Sequence, residues 1–255
     1  MLPNIPLGGL SLPTKPLLVL LGFYLVLWLG SKSAESLGID GDHVWNWGGI
    51  SAIAGLVFGR LAYAARYPQA YLNSPLSLLS PRLGAFVPSV AIVGGIFVGY
   101  LYLHRKRIPL GAFVDALVPG LTLGWAIYAL ANFMAGDAYG MPSTLPWAVE
   151  MWGEMRHPVQ VYEMVAALLT TIWLFARPAP RGAGIWGWRI LLAYSLAHLF
   201  LDTFRGDSFL IMDGYRLSQF LALGGVILAL GGLSRYAPRA STLTEATRGR
   251  ISRKA

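Results

Sequence analysis

Cysteine does not occur among the 255 residues. Its absence excludes disulfides, thiolate metal sites and any nucleophilic thiol carried by the protein itself. Charged side chains are scarce as well, at 13% against about 25% in an average soluble domain. Apolar residues make up 55%, and mean hydropathy is +0.55. Too few charges remain to cover a water-facing surface, which excludes a soluble single domain. Short alternating segments of the kind a transmembrane barrel needs are also missing, since Ala52 to Gly59 and Leu221 to Leu233 are continuous apolar runs.

What is present is a series of apolar runs from Pro16 to Ser234. Their spacing predicts an all-α polytopic membrane protein with seven helices, near 16–30, 46–66, 84–103, 112–135, 158–176, 190–204 and 217–234. Lys and Arg total 20 against 12 Asp and Glu, a net charge of +8. These cations lie between apolar runs, so they read as contacts to anionic lipid, and no nucleic-acid partner is expected. They gather in Arg105-Lys106-Arg107, in the loop with Arg177, Arg181 and Arg189, and from Arg235 to Lys254. With seven helices those segments share one side, which the positive-inside rule makes cytoplasmic, leaving the amino terminus outside. The organisation expected is one transmembrane domain, 1–234, and a basic cytoplasmic tail, 235–255, disordered or lying on headgroups. A cleaved signal peptide ending near Ser31, Ser33 and Ala34 is the alternative for the first run. A retained helix is favoured because it explains the loop charges without further assumptions.

This topology brings polar groups to the outer leaflet from five separated places. They are Arg60 on the second helix, Asn132 with Asp137, Tyr139 and Gly140 at the end of the fourth, Arg156, His157, Tyr162 and Glu163 at the start of the fifth, Tyr194, His198, Asp202 and Arg205 on the sixth, and Gln219 on the seventh. Intramembrane charges are costly unless paired or used. Each has a structural alternative: Arg60 and Arg205 snorkel to headgroups, Glu163 neutralises Arg156 or Arg60, His157 makes a cap or loop contact, and Asp115 caps its helix or pairs with Arg107. Gly94, Gly95 and Gly99 read as close helix packing. As a set, guanidinium groups, amides, phenols and proton-transferring side chains at one depth suit a phosphate ester whose tails lie in lipid.

The segments Asn132-Phe-Met-Ala-Gly-Asp-Ala-Tyr-Gly140 and Arg156-His-Pro-Val-Gln-Val-Tyr-Glu163 resemble the prolipoprotein diacylglyceryl transferase family. The similarity extends to Gly59-Arg-Leu-Ala-Tyr63, Gly94 to Gly99, Asp115 with Pro119 and Gly124, Tyr194 to Arg205, and Leu217-Ser-Gln219. The resemblance implies transfer of a diacylglyceryl group from phosphatidylglycerol to the lipobox cysteine of a preprolipoprotein in the bacterial cytoplasmic membrane, at a site facing the outer leaflet. It implies membrane lipids as surroundings, and neither cofactor nor metal. Asn132, Gly140, Tyr194, Arg60 and Arg205 match family positions, and Asp137 and Asp202 stand where glutamate is usual. His157 or Glu163 is the expected proton acceptor, while Asn132 and Tyr194 complete the catalytic set. Substrate contacts are expected from Lys15, Arg60, Asp137, Gly140, Arg156, His198, Asp202 and Arg205.

Four positions depart from the family pattern. Its arginine three residues before the asparagine is Ala129, the histidine before the paired glycines is Val93, a tyrosine at the head of the first helix is Lys15, and a second arginine is His198. Lys15, Arg156 and Arg60 are the cations available to compensate, and lysine lacks the planar fork of arginine. The alternatives are a non-catalytic phospholipid-binding paralogue and a transferase with a different donor or acceptor.

Overall fold

The computed structural model describes residues 2–7, 10–79, 85–176, 181–211 and 214–236. Apart from Arg235 and Tyr236, the expected basic tail lies outside these residues, as do Pro81 and the stretch 177–180. In chain order the elements are β1 (Asn4–Leu7), β2 (Leu10–Pro13), α1 (Thr14–Glu35), α2 (Asp42–Arg66), α3 (Pro68–Leu72), a 3-10 turn (Pro75–Leu79), α4 (Pro88–Arg105) and α5 (Leu110–Ala135). They continue with β3 (Val149–Met151), β4 (Glu154–Arg156), α6 (Val159–Ala176), α7 (Ile185–Leu201), a 3-10 turn (Asp202–Phe204), β5 (Leu210–Ile211), β6 (Tyr215–Arg216) and α8 (Leu217–Ser234).

Helix α1 runs on to Glu35, where the apolar pattern suggested an end near 30. Helix α4 starts at Pro88 rather than 84, because proline suits the first helical turn, where an amide hydrogen has no partner. Helix α7 occupies 185–201 instead of 190–204, since the chain tightens into the 3-10 turn at Asp202. The three two-stranded antiparallel hairpins, β1 with β2, β3 with β4 and β5 with β6, are additions to the expected all-α architecture. Hydropathy does not register strands of two to four residues.

Helices α1, α2, α5, α6 and α8 are long and apolar enough to cross a membrane. Many of their large apolar side chains face outward, among them Ile53, Leu56, Leu168, Ile172, Leu221 and Leu228. In water each would forgo about 1.5–3 kcal/mol of burial. In lipid that penalty vanishes, and the protein is a helical, multi-pass membrane protein.

The chain forms two compact units, one of residues 20–124 with 181–184 and the other of 1–19, 125–180 and 185–255. In the first unit α2 and α4 pack closely at small residues. A Cβ on Gly55 would meet the Ala91 carbonyl, one on Gly95 the Ser51 carbonyl, and one on Gly94 the Phe58 ring. This fits the close-packing reading of Gly94, Gly95 and Gly99. The core holds Leu27, Val44, Leu103, Phe113 and Leu117. Asp115 accepts 2.9 Å hydrogen bonds from the Gly182 and Gly184 amides, so it ties down a loop far along the chain.

In the second unit α7 packs on both α6 and α8. Gly225 faces Ser195, and Gly232 lies on the Trp188 ring. The amino-terminal hairpin is fastened to the end of α5 by the Leu2 amide on the Met134 carbonyl at 3.1 Å. Thr14 in turn donates its hydroxyl to the Leu2 carbonyl at 2.6 Å. That fixes the first turn of α1, with Lys15, beside the chain leaving α5. Between β3 and β4, Trp152 and Gly153 both take positive φ, 59° and 78°, the geometry of a two-residue hairpin turn.

Candidate functional site

A cavity of about 460 Å³ lies within the second unit. Helix α5 supplies Trp125, Tyr128 and Asn132, which fall on one helical face by their spacing of three and four. Asp137, Ala138 and Tyr139 follow from the loop beyond it. Helix α6 contributes Glu163, α7 contributes Tyr194 and His198 one turn apart, Arg205 and Asp207 come from the loop after α7, and Lys15 comes from the first turn of α1.

Two cations stand on this wall. The Lys15 ammonium pairs with the Asp137 carboxylate and lies 6.0 Å from the Tyr128 ring centre. Arg205 grips Asp207 bidentately, Nε and Nη2 each at 3.0 Å, and holds Nη1 at 3.8 Å from Glu163 and 3.9 Å from Asp202. Glu163 is therefore paired with Arg205, not with Arg156. Burial opposes the Arg205 charge, but Asp207 first, then Glu163 and Asp202, outweigh it and keep the guanidinium more firmly protonated than usual. Burial likewise raises the Asp202 carboxyl, yet its hydrogen bond with His198 and the nearby Arg205 charge prevail, so it sits below the ordinary carboxylate range.

Several buried acceptors have no hydrogen-bond partner among the described residues: Asn132 Oδ1, Glu163 Oε1 and His198 Nε2. Leaving such groups unpaired in a low-dielectric interior costs about 1–3 kcal/mol each, which marks the wall as made for a ligand that donates hydrogen bonds. Donor atoms of Glu163, His198 and Asp202 lie within 4.8 Å of one another. Arg205 already brings a positive charge to both carboxylates, so we read the group as an ion-pair cluster and not as a metal centre.

The other residues singled out from the sequence have different places. Arg156 donates to the Met151 carbonyl at 3.3 Å, the Gly140 carbonyl at 3.2 Å and the Glu154 carboxylate, and its guanidinium lies 4.9 Å from the Tyr139 ring centre. It stitches the β3–β4 hairpin to the loop after α5. Gly140 bridges to Arg205 through the backbone, and a Cβ there would collide with the His157 carbonyl. His157, 3.4 Å from the Tyr162 hydroxyl, lines a second, open cavity of about 720 Å³ with Pro142, Ser143, Leu145, Glu154 and Met155. Asp202 is fully buried behind the first cavity, bonded to His198. Gln219 donates to the Leu199 carbonyl and the Thr203 hydroxyl. Arg60 belongs to the first unit, where Nη2 donates to the Ser77 carbonyl at 3.2 Å. Sequence reasoning overlooked Trp125, Tyr128 and Asp207. The helical spacing from Asn132 back to Trp125 was a usable signal for the first two.

Fold and cavity together define a membrane-embedded protein with a polar pocket that offers cations and unpaired acceptors side by side. The chain belongs to the prolipoprotein diacylglyceryl transferase family, whose model matches residues 5–235. Among its relatives is the phosphatidylglycerol--prolipoprotein diacylglyceryl transferase of Synechococcus elongatus, 29% identical over 246 residues that cover 90% of this chain and 85% of that one. The enzyme of that name from Clostridioides difficile is 28% identical over 223 residues, covering 87% and 89%. The one from Bordetella parapertussis is 29% identical over 247 residues, covering 91% and 94%.

Proposed function

We propose that the protein is a phosphatidylglycerol-prolipoprotein diacylglyceryl transferase. It takes the head of phosphatidylglycerol into the 460 Å³ cavity and passes the diacylglyceryl group to the lipobox cysteine thiol of a preprolipoprotein, releasing glycerol phosphate. The observation that carries this reading is the meeting of Lys15 and Arg205 with Asn132, whose Oδ1 has no hydrogen-bond partner among the described residues, in one cavity. A glycerophosphate head has the matching chemistry, an anion for the cations and hydroxyl donors for that acceptor. Lys15 retains two N–H donors beyond its bond to Asp137, and Arg205 retains Nη1 for a phosphate oxygen. Tyr194 presents its phenol on the same wall. A chain without cysteine depends on its substrate for the thiol.

On this reading seven helices cross the bacterial cytoplasmic membrane in one domain, with the amino terminus and the cavity at the outer leaflet and the basic tail inside. The distribution of Lys and Arg supports that orientation. Gly140 joins the site as the resemblance implies, and Arg156 and Asp137 hold its loops.

Incubating the purified protein with phosphatidylglycerol and a lipobox peptide tests the proposal. Mass spectrometry should detect the diacylglyceryl adduct at levels well above an Asn132→Ala control. One observation favours the non-catalytic alternative: Ala129 carries no charge at the position where the resemblance implies arginine. That alternative requires co-purifying phosphatidylglycerol and no adduct. An adduct only with another phospholipid or thiol would mean an altered donor or acceptor.

A further inference from the structure

We propose that His198 and Asp202 form a dyad that removes the proton from the attacking thiol, an inference that rests on the thiol-transfer reading. His198 Nδ1 lies 3.2 Å from Asp202 Oδ1. A carboxylate oxygen accepts, so Nδ1 carries the hydrogen and Nε2 keeps its lone pair. Nε2 is buried with no hydrogen-bond partner among the described residues, and other atoms of the imidazole line the cavity beside it. Asp202 is fully buried, so water does not compete for its bond to the ring. The imidazole is held from the sides by Tyr194, 4.3 Å between ring centres, and by Trp125, near-parallel at 6.3 Å.

The two acceptors expected from the sequence are worse placed. Glu163 Oε1 lies 3.8 Å from Arg205 Nη1 and is already taken up as its ion-pair partner. His157 turns its Nδ1 to Tyr162 and lines the other cavity. Asp202 gives His198 what a general base needs: one tautomer, one orientation and a counter-charge for the imidazolium that forms. In the reaction the S–H proton moves to Nε2 while sulfur bonds the terminal glyceryl carbon of the diacylglyceryl group. The bond from that carbon to the phosphate oxygen breaks, its electron pair staying on oxygen, and the imidazolium gives its proton to the departing glycerol phosphate or to water. No further reactant is required.

Asp202 and Tyr194 touch the ring, and the other titratable groups lining the cavity are Lys15, Tyr128, Asp137, Tyr139, Glu163, Arg205 and Asp207. The experiment uses the full chain in phosphatidylglycerol vesicles with a lipobox peptide, comparing wild type, His198→Gln and Asp202→Asn at pH 7 and pH 9. His198→Gln should lower kcat about 100-fold or more at pH 7. The deficit should shrink about tenfold or more at pH 9, where a thiol of pKa about 8.5 ionises unaided. Asp202→Asn should show a smaller deficit with the same recovery, giving a second variant should the first fold poorly. A His198→Gln deficit that is equal at both pH values, or a rate within about threefold of wild type, overturns the dyad and leaves the transfer reading standing. Wild type that retains the lipid and never forms the adduct overturns the transfer reading and the dyad with it.

Discussion

Lys15 in the first turn of α1 and Asp137 just beyond α5 are 122 residues apart in sequence and form an ion pair on the wall of one cavity. The pair is partly open to solvent, with 31% and 52% of the side chains exposed. An ion pair of that kind adds only about 0–1 kcal/mol to stability, so its position argues for a role in binding. Replacing Lys15 by Met removes a phosphate contact and leaves the Asp137 charge facing the anion. We expect KM for phosphatidylglycerol to rise about 10-fold to 100-fold, from the 1.5–3 kcal/mol of a charged hydrogen bond. The thermal midpoint should move little, and Lys15→Arg should recover most of the loss. Steady-state kinetics and a thermal melt check both halves.

Ala129 is completely buried on α5, whereas Val93 on α4 is 68% exposed. Restoring the family residues at these positions therefore has unequal consequences. Ala129→Arg has no room, and overpacking costs about 1–3 kcal/mol before the charge is counted. The expected result is a clear drop in thermal midpoint and no gain in transfer. Val93→His should fold like wild type, and a melt of each variant alongside the adduct assay separates the two.

Gly140 sits where its backbone bridges to Arg205 and where a Cβ would run into the His157 carbonyl. The obstacle is backbone, which cannot rotate away as a side-chain tip can. Gly140→Ala should destabilise the protein by about 1–3 kcal/mol. It should also displace Arg205 and depress kcat/KM about tenfold or more, since placement errors near 1 Å are expensive in catalysis. Transfer rates and melting measured on one preparation test this.

Arg205 serves three carboxylates with one guanidinium, Asp207 bidentately and Glu163 and Asp202 through Nη1. Lysine keeps the charge but cannot make those contacts together. Arg205→Lys should lower kcat/KM about 100-fold, in the range seen when one donor to a developing charge is lost. Asp207→Asn, which keeps the shape but weakens the grip, should cost less. The two variants compared in the adduct assay decide whether geometry or charge dominates.

Much of this arrangement is legible from residue order. The long apolar helices follow from hydropathy because lipid-facing and core-facing residues alike are apolar. Asn132, Glu163, Tyr194, His198 and Arg205 were grouped at one depth by counting helices, and they line one cavity. Hairpins β1–β2, β3–β4 and β5–β6 escaped notice because strands so short carry no periodic signal. Trp125 and Tyr128 were not singled out, although their spacing of three and four sets them on the Asn132 face of α5.

Amino-acid order alone fixed the medium in which this protein lives and the family it belongs to, because composition and local motifs are properties of the chain that need no partner in space. Which polar atoms are satisfied and which are left facing a ligand was decided only by tertiary packing. The choice of Arg205 as the partner of Glu163 depends on a distance of 3.8 Å between elements far apart in the chain, while the turning of His157 toward another cavity and the bond from Asp202 to His198 depend on side-chain geometry within four or five residues. A hydrogen bond weakens steeply with distance and angle, and neither is written in a sequence.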